Sequence, residues 1–164
     1  MYTIRPAARA DSEVLANLRR KLQNLLEQES PAAWKMAAAR RQALPEFYEQ
    51  CIAAADTLVL VAEAPDADAR RIVGTAIGRI ETGRDVPRYG NIEDVWVETE
   101  HRGRGICRAL VLKLTEFFQD NGVQKLSVGF AYGGTAASLW QRLGFTPVVV
   151  IANSDVDTLR AGRP

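Results

Sequence analysis

The sequence predicts an α+β sandwich: a mixed central sheet of six to seven strands with helices on both faces, in the order β-α-α-β-β-β-α-β-α-β. Three observations predict it. Thr57 to Ala62 is a near-continuous apolar run, as expected of a central strand covered on both sides. Apolar residues recur at helical spacing from Val14 to Leu26 and again from Ile106 to Phe118. Later in the chain, short β-prone runs are separated by helical stretches, the alternation that lays helices onto a sheet.

Tyr2 to Arg5 is a short alternating run stopped by Pro6, which reads as an edge strand. Asp11 is placed to cap a first helix, striped by Val14, Leu18, Leu22 and Leu25 and ending near Glu29. Ser30-Pro31 opens a second helix through AAWKMAAARRQAL, and Pro45 restarts it through Ile52. These helices read mainly as packing, while the joint from Gln28 to Trp34 is placed to wall a substrate pocket. Pro65 to Asp68 turns the central strand into Arg71–Ile80, where Gly74 and Gly78 mark close backbone approach. Glu81 to Gly90, with Arg84, Asp85 and Arg88, is a polar loop. Asn91 to Val97 is the next strand. The helix from Ile106 stops at Asn121-Gly122. Leu126, Val128 and Phe130 alternate as a strand, Tyr132-Gly133-Gly134 breaks it, and Thr135 caps a short helix carrying Leu139, Trp140 and Leu143. After Gly144, Phe145 to Ile151 forms the last strand, and a polar tail runs from Asn153 to Pro164.

The chain has 164 residues, 47% hydrophobic and 25% charged, which suits one domain over 1–164 with its own core. Its 21 basic and 20 acidic residues leave a net charge of +1, so no basic field favours nucleic acid as a partner. Cys51 and Cys107 are too few for a disulfide framework and lie in no metal-binding spacing, so no metal is expected. The N-terminus has no apolar h-region and no run approaches a membrane span, which makes a reducing cytoplasm the expected location.

Chemistry concentrates in Arg102-Gly103-Arg104-Gly105-Ile106-Cys107, between a strand and a helix. Two glycines let the backbone approach an anion, and the helix start presents unpaired N–H groups and partial positive charge. The helix has no Asp or Glu in its first turn, where acidic residues normally gather, so an external diphosphate suits the gap. A dinucleotide fingerprint needs Gly or Ala where Arg108 stands, and no GxxxxGK string occurs, which excludes both of those nucleotide motifs.

The string VETEHRGRGICRAL, preceded by IEDVWV and followed by LWQRLGF, resembles the GNAT superfamily of acyl-CoA-dependent N-acetyltransferases. The family's signature is Gln or Arg, two residues, Gly, one residue, then Gly or Ala. Arg102, Gly105 and Cys107 occupy those places, and GNIEDVWV is especially similar to the glucosamine-phosphate N-acetyltransferase branch. The resemblance implies acetyl transfer from acetyl-CoA to a primary amine of a small molecule or peptide by direct attack. The coenzyme diphosphate would lie on Arg102, Gly103, Arg104, Gly105, Ile106 and Cys107. A splayed fourth strand, with Val95, Trp96 and Val97, would meet the pantetheine and acetyl carbonyl, and Trp140 would wall the pantetheine. Members often pair, so a homodimer is compatible with the resemblance.

Direct transfer needs a base for an ammonium that is mostly protonated at neutral pH. Glu93, two residues before Val95 on the same strand face, is the candidate; Asp94 points to the other face by strand alternation. Cys107 reads as a packing residue, although a helix start could lower a thiol pKa. Where many members carry a proton-donating Tyr, this chain has Trp140, which is not a usable acid, and Gly133 stands in place of a common Asn. Tyr132, Ser138 or solvent is left to protonate the thiolate. These departures motivate an alternative reading as a non-catalytic acyl-CoA-binding regulatory module.

Overall fold

The computed structural model describes residues 2–160 apart from 67–68, 83–87, 153 and 155, so Gly83, Arg84, Asp85, Pro87 and Asn153 lie outside the described residues. The elements run β1 (Thr3–Pro6), a 3-10 turn, α1 (Ser12–Glu29), α2 (Pro31–Trp34), α3 (Ala38–Gln42), α4 (Leu44–Ala53), β2 (Thr57–Asp66) and β3 (Ala69–Glu81). They continue with β4 (Tyr89–Val97), a second 3-10 turn, α5 (Ile106–Asp120), β5 (Leu126–Val128), α6 (Ala137–Arg142) and α7 (Val156–Arg160).

The sheet is mixed, in the order β1-β2-β3-β4-β5: the first four strands are antiparallel neighbours, and β5 joins β4 in parallel. It therefore has five strands, not six to seven. Phe145–Ile151, expected as the last strand, is in no strand and pairs with nothing described. The reason is local. Gly144 turns the chain at φ 96°, and the Phe145 N–H then donates to Trp140 O at 3.0 Å while the two rings meet edge to face at 5.4 Å. The segment is thus tied to α6 instead of β5, and Pro147 removes one ladder donor.

Alternation along β2 splits the core in two. Leu60, Ala62 and Ala64 pack with Leu110, Leu114 and Phe118 of α5, whereas Val59 and Val61 pack with Leu15 of α1 and Tyr48 and Cys51 of α4. Two strand glycines set how closely α5 lies. A Cβ on Gly78 would come within 2.9 Å of Leu114 and Phe118, and one on Gly90 within 2.7 Å of Phe118 and Leu126. The expected second helix is broken into α2 and α3. Gln23 of α1 donates to Trp34 O, and Glu27 accepts from the Met36 N–H at 2.9 Å, so α1 holds the break in an extended form. Asp11 does not cap α1; its carboxylate accepts from the Ala8 N–H and from Arg5, both at 2.7 Å.

Candidate active site

The pairing of β4 with β5 stops early. Gly90, Asn91 and Ile92 oppose Leu126, Ser127 and Val128, and from Glu93 onward β4 has no β5 partner. The two strands diverge there, and a cavity of about 370 Å³ occupies the gap. Its floor is Asn91 to Val95 of β4, one wall is Val128 to Ala131 with Trp140, and the other comes from α1 to α4, including Arg19, Trp34, Arg40 and Phe47. The joint between α1 and α2 thus contributes to a pocket wall, as its position in the sequence suggested.

The floor contains a bulge. Thr75 of β3 opposes Trp96 and Ile77 opposes Glu93, so Asp94 and Val95 together face only Ala76. Asp94 takes φ 51°, the one positive value among described non-glycine residues, in the region that Asp and Asn tolerate best. The expected alternation therefore fails at this point. Asp94 sends its carboxylate to the α1–α4 side, 2.8 Å from Arg19 Nε and within 3.3 Å of the Tyr48 hydroxyl, which donates to it. Glu93 lies on the same side, accepting from Asn91 Nδ2 at 2.9 Å and standing 3.7 Å from Arg79 Nε.

Both carboxyls lie above their ordinary pKa. For Glu93, burial is the main cause and the Asp94 charge adds to it, while Arg79 and the Asn91 hydrogen bond oppose it. For Asp94, burial again leads, opposed by Arg19. A carboxylate with raised basicity at a cavity floor is suited to receiving a proton from an ammonium.

The glycine turn sits at the start of α5. Gly103 and Gly105 have φ 73° and 79°, and Gly105 occupies the N-cap position with no side-chain cap. Among the described residues, no backbone acceptor meets the N–H groups of Gly105 to Arg108, and the first turn holds no acidic side chain. A row of free donors at a helix start is suited to holding an anion. The two arginines there differ. Arg102 donates from Nε to Val97 O at 2.9 Å and stacks 4.6 Å above Trp96, so its side chain braces the strand end. Arg104 is exposed and donates to the Tyr2 hydroxyl at 3.0 Å.

The remaining expected residues divide. Val95 lines the cavity, whereas Trp96 and Val97 are buried. Trp140 is buried against α5 and presents one side to the cavity. Ile106 is core, and burial pushes the Cys107 thiol up to about 11, so the helix start does not activate it. Tyr132 is 87% exposed and stands outside the cavity lining. Sequence reading passed over Arg19 and Tyr48 and set Asp94 on the opposite face; only the bulge brings the three together, and an Asp at a strand bulge leaves no periodic signal.

Comparison with known proteins decides the family. A sequence model of the acetyltransferase (GNAT) family matches residues 19–145. The chain belongs to the GNAT acetyltransferases. It is an acyl-CoA-dependent N-acetyltransferase with acetyl-CoA as co-substrate. It is 34% identical over 129 residues to glucosamine 6-phosphate N-acetyltransferase 1 of Oryza sativa subsp. japonica, covering 77% of this chain and 72% of that one. A shorter match, 31% identical over 75 residues, covers 45% of this chain and 29% of the uncharacterized N-acetyltransferase YobR of Bacillus subtilis. The fold is shared with a predicted acetyltransferase of Clostridium acetobutylicum crystallised with acetyl-CoA: TM-score 0.74, 18% identity, 98% of each chain. Nothing in these matches favours a non-catalytic module.

Proposed function

We propose that this acetyltransferase binds the acetyl-CoA diphosphate on the Gly103–Cys107 turn, passes the pantetheine through the opening between β4 and β5, and acetylates an amine held in the α1–α4 side of the cavity. The observation that carries this reading is the end of strand pairing at Ile92 and Val128. Past that point the β4 backbone is free to hydrogen-bond an extended ligand, and Glu93 is the first residue beyond it.

In this reading Glu93 takes a proton from the acceptor ammonium. The freed nitrogen lone pair attacks the thioester carbonyl carbon, the nitrogen gives up its surplus proton to water at the open cavity mouth, the C–S bond breaks, and coenzyme A leaves as the thiolate. Water at the open cavity mouth protonates that thiolate, since Tyr132 is remote from the lining and Trp140 cannot donate an acid proton. Val95 lies beside the thioester, Trp140 walls the pantetheine, and Trp96 and Val97 hold the strand in place from the core. Arg104 supplies charge to the diphosphate.

The acceptor class we favour is an amine that also carries an anionic group, of the amino-sugar phosphate kind. The support is the rice relative's activity together with Arg40, which lines the cavity, is exposed, and has no ion pair among the described residues. Arg88, exposed at the edge of the loop before β4, is a second candidate. A cytoplasmic setting fits the two free cysteines. The test is turnover of acetyl-CoA with glucosamine 6-phosphate, polyamines, amino acids and aminoglycosides. Preference for the phosphorylated amine, lost in Arg40→Ala, supports the assignment; equal turnover of cationic acceptors defeats it.

A further inference from the structure

We infer that Tyr2 and His101 are positioning residues for coenzyme binding, which together hold the Arg104 guanidinium at the glycine turn before acetyl-CoA arrives. This rests on the reading that Arg104 supplies charge to the diphosphate, and adds what aims that charge.

Arg104 is the arginine of the turn with donors to spare. Arg102 is committed to Val97 O and to the Trp96 ring. Arg104 is exposed, and among the described residues its guanidinium meets one acceptor, the Tyr2 hydroxyl, 3.0 Å from Nη1. A long exposed side chain loses rotamer freedom when it binds a ligand, and one already held loses less. A single contact at one corner fixes this arginine and leaves the rest of its fork for phosphate oxygens.

The contact joins residues 102 positions apart, and it is held from behind. Tyr2 lies just before β1 and packs at the margin of the α5 core. Its ring meets His101 edge to face at 5.9 Å, with the two planes at 87°, and its hydroxyl lies 3.2 Å from His101 Nδ1. On the far side of the imidazole, Nε2 stands 3.3 Å from Arg71 Nη2 of β3. The same Arg71 nitrogen donates to Glu100 at 3.0 Å, which anchors this end on the 3-10 turn Thr99–His101.

These contacts settle the direction of the chain. A guanidinium can only donate, so His101 Nε2 accepts from Arg71, and the imidazole is neutral with its proton on Nδ1. Nδ1–H then donates to the Tyr2 oxygen, which also accepts from Arg104. The hydroxyl is thereby fixed between two donors, and β1, β3 and the turn before α5 are brought together on the one arginine that faces the proposed diphosphate site.

The experiment is calorimetric titration of the full chain with acetyl-CoA, run as a double-mutant cycle on Tyr2→Phe and Arg104→Ala, with His101→Leu alongside. Tyr2→Phe keeps the ring and its packing and removes only the oxygen, so the melting temperature should stay at the parent value. It should raise the acetyl-CoA dissociation constant about threefold, the scale of one lost hydrogen bond to a charged group in an exposed setting, and His101→Leu should act in the same direction. In the Arg104→Ala background Tyr2→Phe should change nothing further, because its effect passes through that guanidinium. A loss that persists in that background overturns the inference. So does parental or tighter affinity in Tyr2→Phe or His101→Leu while Arg104→Ala binds weakly, a result that leaves the diphosphate reading standing. Parental affinity in Arg104→Ala overturns both.

Discussion

Glu93 and Asp94 are adjacent in sequence, yet both carboxylates lie on the α1–α4 side of the sheet, because the bulge at Asp94 cancels one step of strand alternation. Burial, with the Asp94 charge adding to it, gives Glu93 a raised proton affinity. Glu93→Gln should lower kcat by about 10²-fold or more near neutral pH, the usual scale for losing a general base. The deficit should shrink as pH rises and free amine accumulates, which a kcat/KM profile measures. Stability moves the other way. A raised carboxyl pKa is a contribution that is fully present below the unfolded-state pKa and lost as pH rises through the folded-state value. Glu93→Gln should therefore be at least as stable as the parent at neutral pH, with no gain in acid; denaturant melts at both pH values check this.

Asp94 has a structural task as well. Asp94→Asn keeps a residue that tolerates positive φ but leaves Arg19, whose side chain is 12% exposed, without its charge partner. A loss of about 3 kcal/mol follows from breaking a buried pair. Asp94→Ala should cost about 1 kcal/mol more, from strain at φ 51°. Equal stability of the two variants would mean the bulge relaxes.

The arginines of the turn should separate in their effects. Arg104→Glu places a negative charge at the proposed diphosphate site and should weaken acetyl-CoA binding by about tenfold or more with little change in melting temperature. Arg102→Ala removes the hydrogen bond to Val97 O and the stacking on Trp96, so it should lower the melting temperature by several degrees, corresponding to about 1–2 kcal/mol. Calorimetry with acetyl-CoA and thermal melts of both variants give the comparison.

Gly90→Ala tests the packing that sets the cavity. An added methyl would sit 2.7 Å from Leu126 and from the Phe118 ring, in the layer where β4, β5 and α5 meet. A cost of about 1–3 kcal/mol is expected from overpacking, measured by denaturant unfolding. Gly105→Ala, where a Cβ meets nothing within 4 Å, should cost only the strain of φ 79°, about 1 kcal/mol.

Much of this was legible in the sequence, for identifiable reasons. β2 showed itself by an apolar run, α1 and α5 by their periodicity, and the turn proposed to bind diphosphate by glycines placed before an acid-free helix start. Those signals are local, and they point to element type and to the turn proposed to hold the coenzyme. The acceptor side depends on long-range contacts. Arg19 meets Asp94 across 75 positions only after β4 has bulged, and α2 and α3 separate only because Gln23 and Glu27 of another helix hold the backbone between them. Phe145–Ile151 has strong strand propensity, but propensity does not supply a partner, and the Phe145 contacts with Trp140 draw the chain elsewhere.

Glu29, the last residue of α1, accepts at one carboxylate oxygen from both the N–H and the hydroxyl of Thr135, at 3.1 and 2.7 Å, just before α6. One end of that link belongs to the wall proposed to face the acceptor, and the other to the loop leading to Trp140, proposed to face the coenzyme. Retuning this enzyme for a new amine by altering the end of α1 would therefore also disturb its grip on the acyl donor. The two substrate preferences are mechanically tied, and substitutions that change one without the other must avoid Glu29 and Thr135.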